Sequence, residues 1–170
     1  MTEAFIGLGS NIEPEKYTPM ALERLRNRLN VISISPFYKT PAVGTAKGQA
    51  DFINGVVGVR TELTAHQLKF DVLREIEYEL GRRKFMPKHA PRSMDLDLLV
   101  FGNEFIEDLN VPEPDILNRS FVYTPLLDIN PNFTVPGMSV QLKSLVQRDE
   151  SLEMWSPPFY SVIACKGTFH

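Results

Sequence analysis

KHAPRSMDLDLLVF, residues 88–101, decides how the rest of the chain is read. From Met94 to Phe101 the run is apolar apart from Asp95 and Asp97, a pattern that predicts a β-strand. Alternate side chains of a strand share a face, so the two carboxylates project together, roughly 6.5–7 Å apart. Met94, Leu96, Leu98 and Val100 then face a core. Two like charges on one face of a packed strand repel and lose hydration, so they require a cationic partner. Mg²⁺, a hard cation with oxygen ligands, is the natural candidate.

The residues just upstream suggest what such a metal would serve. Arg82, Arg83, Lys84, Lys88 and Arg92 place five cations within eleven residues of a chain whose net charge is -3. Gly81 marks a helix end, and Pro87 and Pro91 exclude helix from the segment. A basic loop feeding a metal-binding strand suits polyphosphate chemistry, with metals bridging phosphate oxygens and guanidinium groups stabilising transferred charge. The alternative is a solvated loop whose arginines pair with the two aspartates.

Working outward, Glu3 to Gly9 reads as a first strand ending in a Gly-Ser-Asn turn. Residues from Pro14 to Leu29 form a helix with Leu22, Leu25 and Leu29 at core spacing. Val31 to Tyr38 is a second strand, Thr40 to Ala50 a loop, and Asp51 to Thr61 a third strand. Thr64 and Gln67 make a capping box for a second helix, whose buried stripe is Leu68, Val72, Leu73, Ile76 and Leu80. The order is β-α-β-β-α-β, an α+β, ferredoxin-like core: a mostly antiparallel sheet with helices on one face. Residues 103–135 read as loops with short helical turns, Ser139 to Gln147 as a further helix, and Tyr160 to Cys165 as a last strand. Pro157-Pro158 marks a C-terminal extension.

At 170 residues and 43% hydrophobic, the chain suits one globular domain with a sizeable core. Slight acidity with locally concentrated positive charge argues against a general nucleic-acid binder. Cys165 is the single cysteine, so no internal disulfide forms; it reads as a core residue rather than a nucleophile. With no signal peptide or long apolar segment, the expectation is a cytoplasmic protein without membrane contact, and a monomer.

Phe52 and Asn54 are an i, i+2 pair on the third strand, so ring and amide share a face. That combination suits a planar, polar heterocycle, through stacking plus an amide that both donates and accepts. A core phenylalanine beside a turn-capping asparagine is the plainer reading.

Lys88-x-Ala-Pro-Arg-x-x-Asp-Leu-Asp-Leu-Leu resembles the signature of the 6-hydroxymethyl-7,8-dihydropterin pyrophosphokinases. Gly7-Leu-Gly-Ser-Asn11, Phe37-Tyr-Lys-Thr40-Pro41, Phe52-Ile-Asn54 and Asn118-Arg119-Ser-Phe121 fit the family in order. The resemblance covers about residues 3–135 and matches residues 148–170 poorly. It implies transfer of pyrophosphate from ATP to the hydroxymethyl group of a reduced pterin, with release of AMP, in folate biosynthesis. It further implies two Mg²⁺ on Asp95 and Asp97, with Arg82 and Arg92 as catalytic cations. Pterin contacts fall on Thr40, Pro41, Val43, Phe52, Asn54 and Phe121. Nucleotide contacts fall on Glu77, Arg82, Lys84, Arg92 and Arg119. C-terminal helix ends disfavour an acid such as Glu77, so a ligand hydroxyl or a nearby arginine would explain it, the plainer reading being an exposed helix residue. Arg119 is equally a surface cation, and Gly7, Gly9 and Asn11 serve a turn as readily as a ligand.

The chain departs from the family in places. Many relatives carry Trp-Gly where this chain has His89-Ala90, and a histidine where it has Glu113, followed after Pro114 by Asp115. Anions where a polyphosphate approaches weaken nucleotide affinity or shift its pose. Lys84 keeps charge but loses the bidentate geometry of arginine. These changes motivate a second reading, a non-catalytic or altered-specificity relative that binds a pterin or nucleotide as a sensor. The topology is also shared with RNA-recognition modules, but two aspartates on a sheet strand oppose that reading.

Overall fold

The computed structural model describes residues 1–41, 48–88 and 90–156. Strands β1 (Thr2–Ser10), β2 (Asn30–Ile34), β3 (Phe37–Thr40), β4 (Phe52–Thr61) and β5 (Asp95–Phe101) form one sheet, joined at its edge by β6 (Glu153–Trp155). The order is β5-β1-β4-β3-β6, with β2 also paired to β4, and every pairing is antiparallel. This is the expected β-α-β-β-α-β core, with additions.

Helix α1 (Pro14–Arg28) begins with proline at its first position and carries Arg26 and Arg28 in its last turn, both favourable to the helix dipole. Leu22, Leu25 and Leu29 meet Ile6, Leu8, Val57 and Val59 in the larger core, as their spacing predicts. Helix α2 spans residues 65–79, with a π-helical turn at Leu68–Leu73 where the Arg74 amide reaches the Lys69 carbonyl. The capping box is present: the Gln67 amide donates to Thr64 Oγ1 at 3.2 Å, and the Thr64 amide to Gln67 Oε1 at 2.9 Å. Leu68, Val72, Leu73, Ile76 and Leu80 are all buried in that core.

Gly81, at φ 104, closes α2. Its amide donates to the Tyr78 carbonyl at 3.1 Å and the Arg82 amide to the Glu77 carbonyl at 2.9 Å, the two bonds of a Schellman cap. Arg82 therefore leaves the helix at a fixed angle.

The expected strand from Val31 to Tyr38 is two strands. Proline lacks an amide hydrogen, and at Ser35-Pro36 the ladder is replaced by Ser35, whose Oγ accepts the Val56 amide at 2.8 Å. Alternation along β5 also breaks. Ile6 pairs with Leu98 but Phe5 with Val100, so Leu99 is a bulge. Val100 therefore lies in the second core with Leu99 instead of beside Leu96 and Leu98.

The second core covers the opposite sheet face, where Phe5, Val56, Leu99 and Val100 meet Ile116 and Leu126. Those partners come from α3 (Asp115–Asn118) and α4 (Ser120–Ile129); α4 is a ten-residue helix where short turns were expected. The helix expected over Ser139 to Gln147 is only a 3₁₀ turn at Leu142–Ser144. There the Leu142 amide donates to the Phe133 carbonyl at 2.7 Å, and Thr134 bridges to Gln141. The strand expected at Tyr160 to Cys165 lies outside the described residues, as do Cys165, Val43 and His89.

Candidate active site

The bare positions of β1 build the site. Gly7 pairs across to Asp97 on β5 and Val56 on β4, and Gly9 to Asp95 and Asn54. Both glycines lie within the strand, not in a loop beyond it. Two strand spacings separate the aspartates from Asn54, about 10 Å, with no side chain rising between them. A Cβ at Gly9 would come within 3.0 Å of Asn54 Oδ1, and one at Gly7 within 3.3 Å of Leu99. The result is a cleft of about 380 Å³ with carboxylates along one side and an amide and aromatic rings along the other.

Asp95, Asp97, Arg92, Thr40, Pro41, Phe52, Asn54, Arg119 and Phe121 all line this cleft. Asn54 Nδ2 donates to Thr40 Oγ1 at 2.8 Å, which orients the amide and leaves its oxygen facing Gly9. Phe121 and Val122 overhang from the first turn of α4.

The two aspartates differ in environment. Asp95 Oδ1 lies 3.5 Å from Arg82 and 3.6 Å from Arg92. No hydrogen bond or ion pair reaches the Asp97 carboxylate among the described residues. Its carboxyl opens into the cleft, but the walls desolvate it and Asp95, Glu77 and Glu113 repel its charge, so its pKa is pushed up to about 7. Lys69 acts in the opposite sense. Two oxygen donors on one face, one of them short of positive charge, fit a hard divalent ion that completes its shell with water and phosphate oxygens.

Glu77, expected among the nucleotide contacts, is 2% exposed. Its carboxylate accepts the Leu96 amide at 2.8 Å and Arg82 Nη1 at 2.7 Å, with Arg74 at 3.5 Å. Burial raises its pKa, partly offset by the Leu96 amide and Arg82. It thus grips β5 between the two aspartates and aims Arg82 at Asp95. Arg82 itself lines a smaller hollow of about 160 Å³ beside the cleft. Lys84 is exposed on the basic loop and lines neither cavity.

Arg92 is held from behind by Asn11. Asn11 Oδ1 accepts the Arg92 amide at 2.7 Å, and the Asn11 and Ile12 amides donate to the Arg92 carbonyl at 3.0 and 3.2 Å. Asn11 Nδ2 reaches the Ala50 carbonyl at 3.3 Å, tying the basic loop to the loop before β4. The arginine head curls back to the Pro87 and Lys88 carbonyls at 3.3 and 3.4 Å.

Lys88, Glu113 and Asp115 also line the cleft. Burial raises the Glu113 pKa against the pull of the Asp115 amide. Asp115 lies 3.8 Å from Arg119, so an acid of the same wall holds the cation expected to meet a nucleotide.

The family model described as 7,8-dihydro-6-hydroxymethylpterin-pyrophosphokinase (HPPK) matches residues 5–131. A 2-amino-4-hydroxy-6-hydroxymethyldihydropteridine pyrophosphokinase of Haemophilus influenzae is 35% identical over 145 residues, 82% of this chain and 89% of its own. A Bacillus subtilis protein of the same name is 39% identical over 131 residues, 74% of this chain and 77% of its own. Among solved structures, wild-type Plasmodium falciparum HPPK-DHPS with pteroate superposes with a TM-score of 0.69 at 12% identity. That likeness covers 90% of this chain and 47% of the other, so the chain spans under half of that protein. At that identity it speaks for the fold alone.

Proposed function

The chain belongs to the 7,8-dihydro-6-hydroxymethylpterin-pyrophosphokinase family, and from that premise we propose that it transfers pyrophosphate from ATP to the hydroxymethyl group of 6-hydroxymethyl-7,8-dihydropterin, releasing AMP, in folate biosynthesis. One observation carries the reading: paired carboxylates and an amide-aromatic wall face each other across the two bare glycines of β1.

In this reading the described residues form one pyrophosphokinase domain, acting as a cytoplasmic monomer on small-molecule substrates. Thr40, Pro41, Val43, Phe52, Asn54 and Phe121 hold the pterin, with Asn54 recognising the ring edge and the two phenylalanines covering its faces. Arg82, Lys84, Arg92 and Arg119 hold the nucleotide, with Glu77 behind them as a positioning residue. Asp95 and Asp97 would hold two Mg²⁺, which neutralise phosphate charge and lower the pKa of the attacking hydroxyl.

The new bond joins the pterin oxygen to the β-phosphorus; the bond from that phosphorus to the α-bridging oxygen breaks, and the hydroxyl proton leaves to solvent. Arg82 and Arg92 exchange Asp95 for phosphate oxygens as the nucleotide enters. Two guanidinium groups there are worth about 10³-fold or more in rate. Alignment of the two substrates across β1 supplies the rest without a protein nucleophile.

Glu113 and Asp115 on the cleft wall favour a second reading, a pterin or nucleotide sensor without turnover. An assay for AMP release with and without 6-hydroxymethyl-7,8-dihydropterin separates the two. Pterin-dependent AMP supports the enzyme; nucleotide binding without pterin-dependent AMP at saturating ATP and Mg²⁺ supports the sensor.

A further inference from the structure

The residues after 131 lie beyond the family match, yet they bear on both walls of the heterocycle side of the cleft. One wall is the end of β3, where Thr40 lines the cleft with the adjoining Pro41; the other is the head of α4, which carries Phe121 and Val122.

The segment 147–155 joins them. At one end β6 pairs with β3, matching Phe37 with Trp155, Tyr38 with Met154 and Lys39 with Glu153. The Trp155 ring meets Phe37 edge-on at 6.4 Å, so the pairing has an apolar anchor. At the other end three contacts clasp α4. Ser120 Oγ, on the first residue of the helix, donates to Asp149 Oδ2 at 2.9 Å. Tyr123 Oη donates to the Gln147 carbonyl at 2.8 Å, and Arg148 lies 3.5 Å from Asp128. Tyr38 of β3 donates to the same Asp128, closing the frame directly between the walls.

The Asp149 carboxylate is itself fixed, because Oδ1 accepts the Ser151 amide at 3.0 Å and the Ser151 hydroxyl. An anion at the first turn of a ten-residue helix also meets the positive end of its dipole. Helix α4 has no side-chain N-cap, so the Ser120–Asp149 bond is the side-chain contact that ties its first residue to this segment.

We propose that Asp149 is a positioning residue for the pterin wall: through Ser120 it fixes the head of α4, and with it Phe121, against the Thr40–Phe52 side of the cleft. The proposal rests on the pterin reading above. The strand pairing, hydrogen bonds and ion pair that hold this segment run to β3 and α4 rather than to the Asp95/Asp97 strand, so the larger effect falls on the pterin.

The test uses the full chain and its Ser120→Ala, Asp149→Ala and doubly substituted forms. Pterin affinity is measured by fluorescence titration with Mg²⁺ and a non-hydrolysable ATP analogue; nucleotide affinity is measured separately by calorimetry. Each single change is expected to weaken pterin binding about fivefold to tenfold, the loss of one charge-assisted hydrogen bond, with a smaller loss of nucleotide affinity through Arg119 beside Ser120. The double form should match the worse single form, and Ser120→Thr, which keeps the hydroxyl, should restore affinity. Pterin affinity equal to wild type in both singles overturns the proposal. So does an equal loss for both substrates accompanied by a lower melting temperature, which marks general destabilisation. Failure of the wild-type chain to bind the pterin at all overturns the functional reading instead, and this inference with it.

Discussion

Replacing Glu77 by alanine tests how the acidic strand is held. The substitution leaves the buried Leu96 amide without its acceptor, a cost of about 1–3 kcal/mol. It also removes the closest partner of Arg82, whose side chain is 25% exposed, adding about 0.5–1 kcal/mol after solvent screening. Relief of the carboxylate's own desolvation, which raises its pKa, works the other way. The net loss is therefore about 2 kcal/mol, or a drop of about 1 M in the urea midpoint. Leu96 sits between Asp95 and Asp97, so loosening it should also weaken Mg²⁺-dependent nucleotide binding about tenfold. Glu77→Gln, which retains an acceptor for Leu96, should lose less stability but a similar share of nucleotide affinity, since Arg82 loses its charged partner. Urea unfolding and calorimetric titration with a non-hydrolysable ATP analogue read both quantities. An unchanged midpoint together with unchanged affinity for Glu77→Ala would falsify the positioning role.

Asp97→Asn should stabilise the metal-free protein at pH 8 and do little near pH 4. The folded carboxyl titrates at about 7 against 3.8 unfolded, so the native state holds the extra proton between those values and stability falls as pH rises through the window. Thermal melts without metal at several pH values check this; a flat difference between variant and wild type refutes it. Glu113→His should tighten ATP binding about threefold to tenfold by removing an anion from the cleft wall, and calorimetry showing no change places residue 113 away from the phosphates. Gly55→Ala would set a Cβ 2.6 Å from the buried Phe37 ring, so its melting temperature should fall by about 5 °C; a melt within 1 °C of wild type means the ring moves aside freely.

The elements legible in the sequence are those with a long, uninterrupted period. Helix α1, strand β4, the capping box of α2 and the Asp95/Asp97 strand follow directly from spacing, and so does the apposition of Phe52 and Asn54. What escaped depends on contacts between distant residues. The break at Ser35-Pro36 exists because Ser35 bonds Val56, and the bulge at Leu99 because β1 and β5 shift register there. Helix α4 contains Pro125 and β6 spans only Glu153–Trp155, too short for alternation to register. Between Ser139 and Gln147 the apolar spacing resembles a helix, but Leu142 is recruited by Phe133 instead. An acid near the end of α2 calls for a nearby arginine, and Arg82 is that partner, but helical spacing cannot show that β5 passes over Glu77 and buries it. Asn11, open between a turn and a ligand contact in the sequence, holds the Arg92 backbone.

The proposed transfer stands on Asp95 and Asp97 holding divalent ions beside a nucleotide's phosphates. Electron paramagnetic resonance with Mn²⁺ as a stand-in for Mg²⁺ measures this, by counting bound ions on the chain with a non-hydrolysable ATP analogue present. Two tightly bound ions are expected in the wild-type protein and none in Asp95→Asn/Asp97→Asn, with folding preserved in both. Equal ion binding in the two proteins, or none in either, contradicts the account.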